Sequence, residues 1–268
     1  MSTAIVTGAT AGIGAQVALA LGSRGYDVRV LGRSRDRGSQ IVQRIRTGGG
    51  SAQFVAVDLA DFGAVRAAAA ELDGEAALDV MVNNAGVGRG HGLTSDGFEI
   101  HFGVNHLGHF LLNALLRSRF REGTRVVNVT SSVHKRVEGI DFDAVRRPAR
   151  SWWGLDEYGV SKLANILYTK ELGQRDPRLR TYAVHPGLTD TAILPWPVRV
   201  LQRRKMRTAA EAAADIVRCA VDPDLGSETG GYYTRHGRSE PSDSARSEDL
   251  AVELWRRSES WCGSAPAA

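Results

Sequence analysis

Apolar runs alternate with amphipathic segments along the chain, and this alternation predicts strands followed by helices. The predicted strands are short and rich in β-branched residues, as in strands buried on both faces; they cover 3–8, 26–32, 52–59, 77–86, 124–132, 180–187 and 230–234. The predicted helices cover 12–25, 36–47, 62–72, 97–120, a segment that begins at Tyr158, 207–220 and 247–255. This order predicts one α/β domain over residues 1–268, with a doubly wound parallel sheet covered by helices on both faces. Ligands of such sheets bind at the carboxyl ends of the strands.

Two longer stretches interrupt the alternation. Residues 133–156 are polar and contain adjacent tryptophans at Trp152 and Trp153, and residues 188–206 contain Trp196 between two prolines. Long loops at the ligand edge of a sheet commonly carry substrate specificity, so we predict two substrate loops. A disordered excursion is the alternative for each.

Composition is that of an ordinary globular protein, with 43% hydrophobic and 24% charged residues in 268. The net charge is +4 and the basic residues are scattered, apart from a short run at Arg203, Arg204, Lys205 and Arg207. A nucleic-acid patch is one interpretation of that run, but a solvated segment near a substrate loop is favoured. We therefore predict no nucleic-acid partner.

The cysteines and histidines give no pattern of a metal site. Cys219 and Cys262 are far apart in sequence and are expected to be reduced and structural. His106 and His109 are three residues apart but have no evident third ligand, so a role within a helix is favoured over a metal site. No apolar run has the length of a membrane span, and an apolar strand is expected from residue 3, which leaves no room for a signal peptide. These features predict a cytoplasmic protein with no membrane partner.

Tyr158 and Lys162 are the first candidates for catalysis. Their spacing of four places both side chains on one face of the predicted helix, one turn apart. An ammonium close to a phenol favours the phenolate and lowers its pKa, which suits proton transfer to or from an alcohol oxygen. Taken alone, the pair also fits a solvated helix face.

A glycine-rich turn follows the first predicted strand. Gly8, Gly12 and Gly14 allow a tight turn and a close approach of the backbone to a pyrophosphate at the helix N-terminus. The spacing differs from the common GxGxxG fingerprint, and packing is the alternative explanation for the glycines.

The second predicted strand ends in Gly32, Arg33, Ser34 and Arg35, with no acidic residue. An acid at this place binds the ribose 2′-hydroxyl of NAD, whereas arginine pairs with the 2′-phosphate of NADP. Arg33, with Arg35 as a second candidate, therefore favours NADPH over NADH. Solvated arginines after a strand are the alternative.

Further polar and small residues follow the next strands. Asp58 and Leu59 end the third predicted strand, where a carboxylate could accept from an adenine amino group. Asn84, Ala85 and Gly86 end the fourth, where small residues would let a cofactor lie against the backbone. Each is weak alone, because such residues also form turns.

Together these motifs resemble the short-chain dehydrogenase/reductase family. The motifs are TGATAGIG at 7–14, NNAG at 83–86, YGVSK at 158–162 and HPG at 185–187. A finer resemblance, to the retinol-dehydrogenase-like branch, rests on NHLGHF at 105–110, RVVNVTSSVH at 125–134, SKLANILYTKEL at 161–172 and TGGYY at 229–233. The resemblance covers about residues 3–235 and implies a Rossmann-type fold.

The resemblance also implies the catalytic roles. Ser131 would donate a hydrogen bond to the substrate carbonyl, with Ser132 as the competing assignment. Tyr158 would supply the proton during reduction, and Lys162 would lower the pKa of Tyr158 and hold the nicotinamide ribose. Asn105 would hold the long helix open for a water that connects Lys162 to solvent.

The same matching assigns the cofactor-binding residues. The implied set is Gly8, Thr10, Ala11, Gly12, Ile13, Gly14, Arg33, Ser34, Asp58, Leu59, Asn84, Ala85, Gly86, Tyr158, Lys162, Pro186, Gly187, Thr189 and Thr191. Many NADPH-dependent relatives carry a basic residue where this chain has Ala11, so the preference for NADP(H) depends on Arg33 and its neighbours.

The sequence therefore predicts an NADPH-dependent oxidoreductase that interconverts a carbonyl and an alcohol. The tryptophans and the apolar residues Leu188, Ile193 and Leu194 favour a hydrophobic aldehyde or ketone. Two alternatives stay open: an NADP-binding regulatory or scaffold protein without turnover, and an epimerase or dehydratase of the same family. A homo-oligomer, dimer or tetramer, is compatible with the resemblance.

Overall fold

In the computed structural model, which describes residues 1–74, 76–151, 153–188 and 206–263, eight strands form one sheet. The strands are β1 (Thr3–Thr7), β2 (Asp27–Gly32), β3 (Ser51–Ala56), β4 (Leu78–Asn83), β5 (Phe120–Val129), β6 (Arg180–Val184), β7 (Gly231–Thr234) and β8 (Gly237–Ser239). Their order across the sheet is β3-β2-β1-β4-β5-β6-β7-β8. The first seven are parallel and β8 is antiparallel to β7. The predicted α/β fold with a Rossmann-type, doubly wound sheet is confirmed.

Helices follow the strands in the described part of the chain, and most of them overlap a predicted helix. They are α1 (Gly12–Gly22), α2 (Arg35–Thr47), α3 (Phe62–Leu72), α4 (Ile100–Phe102), α5 (Gly108–Leu115), α6 (Leu155–Arg175), α7 (Ala209–Val221), α8 (Asp243–Arg246) and α9 (Glu248–Cys262). Among the described residues, no helix is both long enough and apolar enough to cross a lipid bilayer.

Strand β1 shows why the apolar runs are continuous. All five of its residues are buried, with Ile5 in the core on one face of the sheet and Ala4 and Val6 in the core on the other. A strand covered by helices on both faces needs apolar residues at successive positions rather than at alternate ones.

The connection order reverses at β1, which lies between β2 and β4. The chain runs outwards from β1 through β2 to β3, then returns to the other side of β1 at β4. Such a reversal leaves a crevice at the carboxyl ends of the two central strands. Thr7 and Asn83, the last residues of β1 and β4, mark this edge.

The prediction of one continuous helix over 97–120 is wrong, because the observed helical structure is shorter and is interrupted by a π turn. Helical structure runs from α4 through a π-helical turn (Gly103–Leu107) into α5, and the strand β5 already begins at Phe120. The π turn closes with a hydrogen bond from the Gly108 N–H to the Gly103 carbonyl. Helical periodicity does not distinguish a π turn from an α turn, because one extra residue changes the pattern little.

Other boundaries also differ from the predictions. The helix α6 begins three residues before Tyr158, after Gly154 with φ 56°. The last helix, α9, continues to Cys262 rather than ending at 255. Strand β8 was not predicted, since Gly237–Ser239 has no apolar alternation and pairs with β7 through its backbone.

The two predicted substrate loops are described to different extents. Residues 133–156 contain 3₁₀ turns at Ser132–Arg136 and Ala144–Arg146, and Val145 and Ala149 are buried. Trp152 and residues 189–205, with Trp196 and the predicted cofactor contacts Thr189 and Thr191, lie outside the described residues.

Candidate active site

A cavity of about 1080 Å³ opens at the carboxyl edge of the sheet. Residues from the ends of β1 to β6 and from the start of α6 line it. The predicted site residues on its wall are Gly8, Thr10, Ala11, Gly12, Ile13, Gly14, Arg33, Ser34, Asp58, Leu59, Asn84, Ala85, Gly86, Ser131, Tyr158, Lys162, Pro186 and Gly187. The fold therefore brings residues from distant parts of the chain to one cavity.

The position of Tyr158 depends on the close approach of α6 to the turn after β5. A Cβ atom built on Gly159 would lie 3.1 Å from the carbonyl oxygen of Val133. The glycine next to Tyr158 thus allows the helix to pack directly against the turn that carries Ser131.

Ser131 is the hydroxyl that meets Tyr158. The two side chains share a hydrogen bond, and the Ser131 hydroxyl also accepts from the Val133 N–H at 3.3 Å. Ser132 lines the same cavity but is exposed and begins the 3₁₀ turn. The pairing of hydroxyls therefore involves the first of the two adjacent serines.

Lys162 is buried beneath Tyr158. Its Nζ lies 5.6 Å from the centre of the Tyr158 ring and donates to the Val129 carbonyl at 3.0 Å. Burial lowers the pKa of Lys162 to about 8, because an ammonium is poorly solvated there. Thr130 donates to the Lys162 carbonyl at 2.7 Å, which ties α6 to the end of β5.

The pKa of Tyr158 is higher than its ordinary value, whereas the sequence predicts a lower one. Burial raises it to about 12, and the hydrogen bond with Ser131 offsets only part of this shift. The expectation of a lowered pKa considered the ammonium and omitted the burial of the phenol, which is the larger effect in the protein alone.

Asn105 lies within the π turn and is fully buried. Its side chain accepts from the Val87 N–H at 2.8 Å and donates to the Val87 carbonyl at 3.0 Å. It also donates to the Ser161 hydroxyl at 2.9 Å. The side chain therefore joins the loop after β4 to α6, next to Lys162.

The glycine-rich turn has the shape that a nucleotide phosphate needs. Gly8 and Gly12 have φ of 65° and 56°, which side-chain-bearing residues rarely adopt. A Cβ on Gly14 would lie 2.4 Å from the side-chain amide nitrogen of Asn84, whereas a Cβ on Gly12 would meet nothing within 4 Å. Gly14 therefore packs against the protein and Gly12 faces open space, at the N-terminus of α1.

Two arginines reach the cavity at the start of α2. Arg33 lines it together with Ser34, whose hydroxyl caps α2 by accepting from the Arg37 N–H. Arg37 lines it too, although it is not among the residues predicted from the sequence. Arg35, the second sequence candidate, is absent from the cavity wall, and its guanidinium lies 5.7 Å from the centre of the Phe54 ring.

The start of α2 determines where the arginines after β2 lie. Arg33 precedes the N-cap residue Ser34, and Arg37 lies in the first turn of α2, so the two line the cavity from either side of the cap. The sequence predicts a helix from Asp36, one residue after the observed start, and its candidate arginines are Arg33 and Arg35.

Asp58 lines the cavity after β3, with one carboxylate oxygen accepting from the Ala60 N–H at 3.0 Å. Pro186 and Gly187 line the cavity after β6. Arg207 donates to the Pro186 carbonyl at 2.8 Å and forms an ion pair with Asp215.

Comparison with known proteins identifies the family. Residues 2–143 match the family model of short chain dehydrogenases. Retinol dehydrogenase 12 of Homo sapiens is 35% identical over 266 residues, which cover 94% of this chain and 83% of that protein. Retinol dehydrogenase 11 of Mus musculus is 38% identical over 266 residues, with the same coverage of 94% and 83%.

Solved structures agree with this result. An uncharacterized protein from Mycobacterium paratuberculosis has a TM-score of 0.83 and 32% identity, with 100% of this chain and 96% of that chain covered. The landomycin C-6 ketoreductase LanV, solved with bound NADP and rabelomycin, has a TM-score of 0.70 and 26% identity over 87% of this chain and 94% of that chain. The chain therefore belongs to the short-chain dehydrogenase/reductase family, in its retinol-dehydrogenase-like branch, and is a carbonyl/alcohol oxidoreductase.

Proposed function

We propose that the protein is an NADPH-dependent oxidoreductase that reduces a hydrophobic aldehyde or ketone to the alcohol, or catalyses the reverse reaction. One observation supports this proposal most directly. Ser131, Tyr158 and Lys162 lie together on the wall of one cavity, and Arg33 and Arg37 line another part of the same wall.

The chemistry of the Tyr158 end fits carbonyl reduction. Bound NADPH supplies a hydride, and the product alkoxide then needs one proton. A tyrosine whose pKa burial raises to about 12 is protonated at neutral pH and so holds that proton. The Ser131 hydroxyl, already paired with Tyr158, is placed to donate a hydrogen bond to the same oxygen. Lys162, whose pKa burial lowers to about 8, is the adjacent group that can replace the proton of Tyr158.

The remaining residues fit the nucleotide. The positive φ angles of Gly8 and Gly12 and the open space beside Gly12 leave room for the pyrophosphate at the N-terminus of α1, where backbone N–H groups favour an anion. Arg33 and Arg37 fit a 2′-phosphate, because guanidinium groups form strong charge-assisted hydrogen bonds with phosphate. The solved ketoreductase LanV carries NADP, which supports the same preference.

Apolar side chains line the cavity around the Tyr158 end and favour a hydrophobic substrate. They are Ile100, Val104, Val133, Trp153, Leu155 and Leu188. Trp153 and Leu188 are 49% and 37% exposed, so this wall continues to the surface of the protein. A cytoplasmic location and a dimer or tetramer stay predictions from the sequence.

The test is the rate of NADPH oxidation, with NADH for comparison, over a panel of aldehydes and ketones graded in size and polarity. We expect turnover with NADPH, much less with NADH, and higher kcat/KM for the apolar members. Preferred turnover of small polar ketones would contradict the substrate class, and NADPH binding without turnover of any member would favour the binding-protein alternative. Ser131→Ala should remove most of the activity and Ser132→Ala little, which separates the two hydroxyls.

A further inference from the structure

His109 is a buried polar residue that the catalytic roles above do not use. It lies in the first turn of α5 and is 2% exposed. Its Nδ1 atom lies 3.0 Å from the carbonyl oxygen of Asn105, and its Nε2 atom lies 2.8 Å from the hydroxyl of Thr7. One ring nitrogen therefore contacts Thr7, which lines the cavity, and the other contacts Asn105 in the buried π turn.

The partners of His109 assign its protonation form. The Asn105 carbonyl can only accept a hydrogen bond, so Nδ1 carries the hydrogen. The Thr7 hydroxyl accepts from the N–H groups of Asn84 and Ala85, each at 3.0 Å, and its one hydrogen has two acceptors, Nε2 of His109 at 2.8 Å and the more distant Val82 carbonyl at 3.3 Å. Burial also lowers the pKa of His109 to about 4, which keeps the ring neutral at physiological pH.

The two contacts of His109 belong to different halves of the site. Thr7 holds the backbone of Asn84 and Ala85, which form part of the nucleotide side of the cavity. Asn105 lies in the π turn, and its side chain is bonded to Ser161 in the catalytic helix α6. The ring of His109 is thus a direct bridge between these halves.

We propose that His109 is a positioning residue, which in its neutral Nδ1–H form fixes the Asn105 carbonyl on one side and the Thr7 hydroxyl on the other. It sets the spacing between the loop at Asn84 and the helix that carries Tyr158. The effect on turnover rests on the proposed function, whereas the effect on nucleotide binding is measured without it.

Substitution of His109 by asparagine or by glutamine tests the two contacts separately. The nitrogen of asparagine corresponds in position to Nδ1 of histidine, and the terminal amide of glutamine corresponds to Nε2. His109→Asn therefore keeps a donor for Asn105, His109→Gln keeps an acceptor for Thr7, and His109→Phe keeps the ring shape without either contact. Kd for NADPH is measured by fluorescence titration and kcat by NADPH oxidation.

We expect His109→Phe to lower kcat and to raise the Kd for NADPH, each by about tenfold, which is the effect of losing roughly one hydrogen bond. His109→Asn should restore kcat but not the Kd, and His109→Gln should restore the Kd but not kcat. A purely structural role would not divide the two parameters in this way.

His106 supplies the matched control. It is also a buried histidine in the helical run, but its Nε2 contacts the Ser258 hydroxyl in α9, away from the cavity. His106→Phe should lose stability as His109→Phe does, while its kcat and Kd stay within about twofold of wild type.

Two results would overturn the inference: wild-type kcat and Kd in His109→Phe, or equal losses of both parameters in His109→Asn and His109→Gln. If none of the carbonyl compounds in the panel supports NADPH oxidation by the wild-type protein, the proposed function fails. The Kd values for NADPH still test the Thr7 contact in that case. A normal Kd in His109→Phe would then overturn the inference.

Discussion

Replacement of Lys162 by methionine should make the protein more stable and inactive. Lys162 is 3% exposed, and its pKa is lowered from 10.5 to about 8 by burial. One unit of pKa difference between the folded and unfolded states corresponds to about 1.4 kcal/mol, so the buried ammonium costs about 3 kcal/mol at pH 7. Methionine has a similar length and carries no charge.

Part of this gain is offset by the loss of one hydrogen bond. The Val129 carbonyl loses the Lys162 donor but keeps the side-chain amide of Asn165 at 3.1 Å, so it is not left without a partner. A hydrogen bond contributes about 1 kcal/mol, and we therefore expect a net stabilisation of about 2 kcal/mol in Lys162→Met at pH 7.

The pH dependence follows from the direction of the shift. Between pH 8 and 10.5 the unfolded chain binds a proton at Lys162 that the folded protein has released, so wild-type stability rises with pH relative to Lys162→Met. The advantage of the variant should be complete below about pH 8 and should disappear as the pH approaches 10.5.

Urea unfolding of the nucleotide-free proteins at pH 7 and at higher pH measures this difference, with Lys135→Met as the control at an exposed lysine. NADPH oxidation by Lys162→Met should fall to the background rate. A variant less stable than wild type at pH 7, or a stability difference that does not change with pH, would refute the reasoning about the buried charge.

Two further predictions concern the cofactor and the packing of α6. Arg37→Ala should raise the KM for NADPH by about tenfold to a hundredfold and leave the kinetics with NADH unchanged, since a charged hydrogen bond contributes about 1.5–3 kcal/mol. Arg35→Ala is the matched control. Equal effects of the two substitutions would contradict the assignment of Arg37 to the 2′-phosphate of NADPH. Gly159→Ala should lower kcat, because the new Cβ would lie 3.1 Å from the Val133 carbonyl and would displace α6 from the turn next to Ser131. Its stability should change little, since alanine favours a helix over glycine by about 1 kcal/mol and offsets the close contact. Gly139→Ala should leave kcat unchanged, since its Cβ meets nothing within 4 Å. Kinetics and urea unfolding of each pair check both predictions.

Much of the fold is predictable from the sequence because buried parallel strands have a strong pattern. The continuous apolar residues predict β1. The glycines after it predict the turn to α1, since glycine readily adopts the positive φ angles that occur at Gly8 and Gly12. Strand β8 left no such pattern, because backbone pairing with β7 forms it.

The candidate site was less predictable where its geometry depends on tertiary packing. The π turn around Asn105 follows from contacts with Val87 and Ser161, which are distant in sequence. The direction of the pKa shift at Tyr158 follows from the depth of burial, which the spacing to Lys162 does not reveal. The choice of Arg37 over Arg35 depends on where α2 begins.

The most direct test of the central claim is the comparison of wild type with Tyr158→Phe at saturating NADPH and a carbonyl substrate found in the panel. Phenylalanine keeps the ring and removes the hydroxyl that shares a hydrogen bond with Ser131. The account predicts that the variant binds NADPH with a Kd close to that of wild type and that its kcat falls by about two to four orders of magnitude, the usual contribution of a general acid. Wild-type kcat in Tyr158→Phe would contradict the claim that this tyrosine delivers the proton.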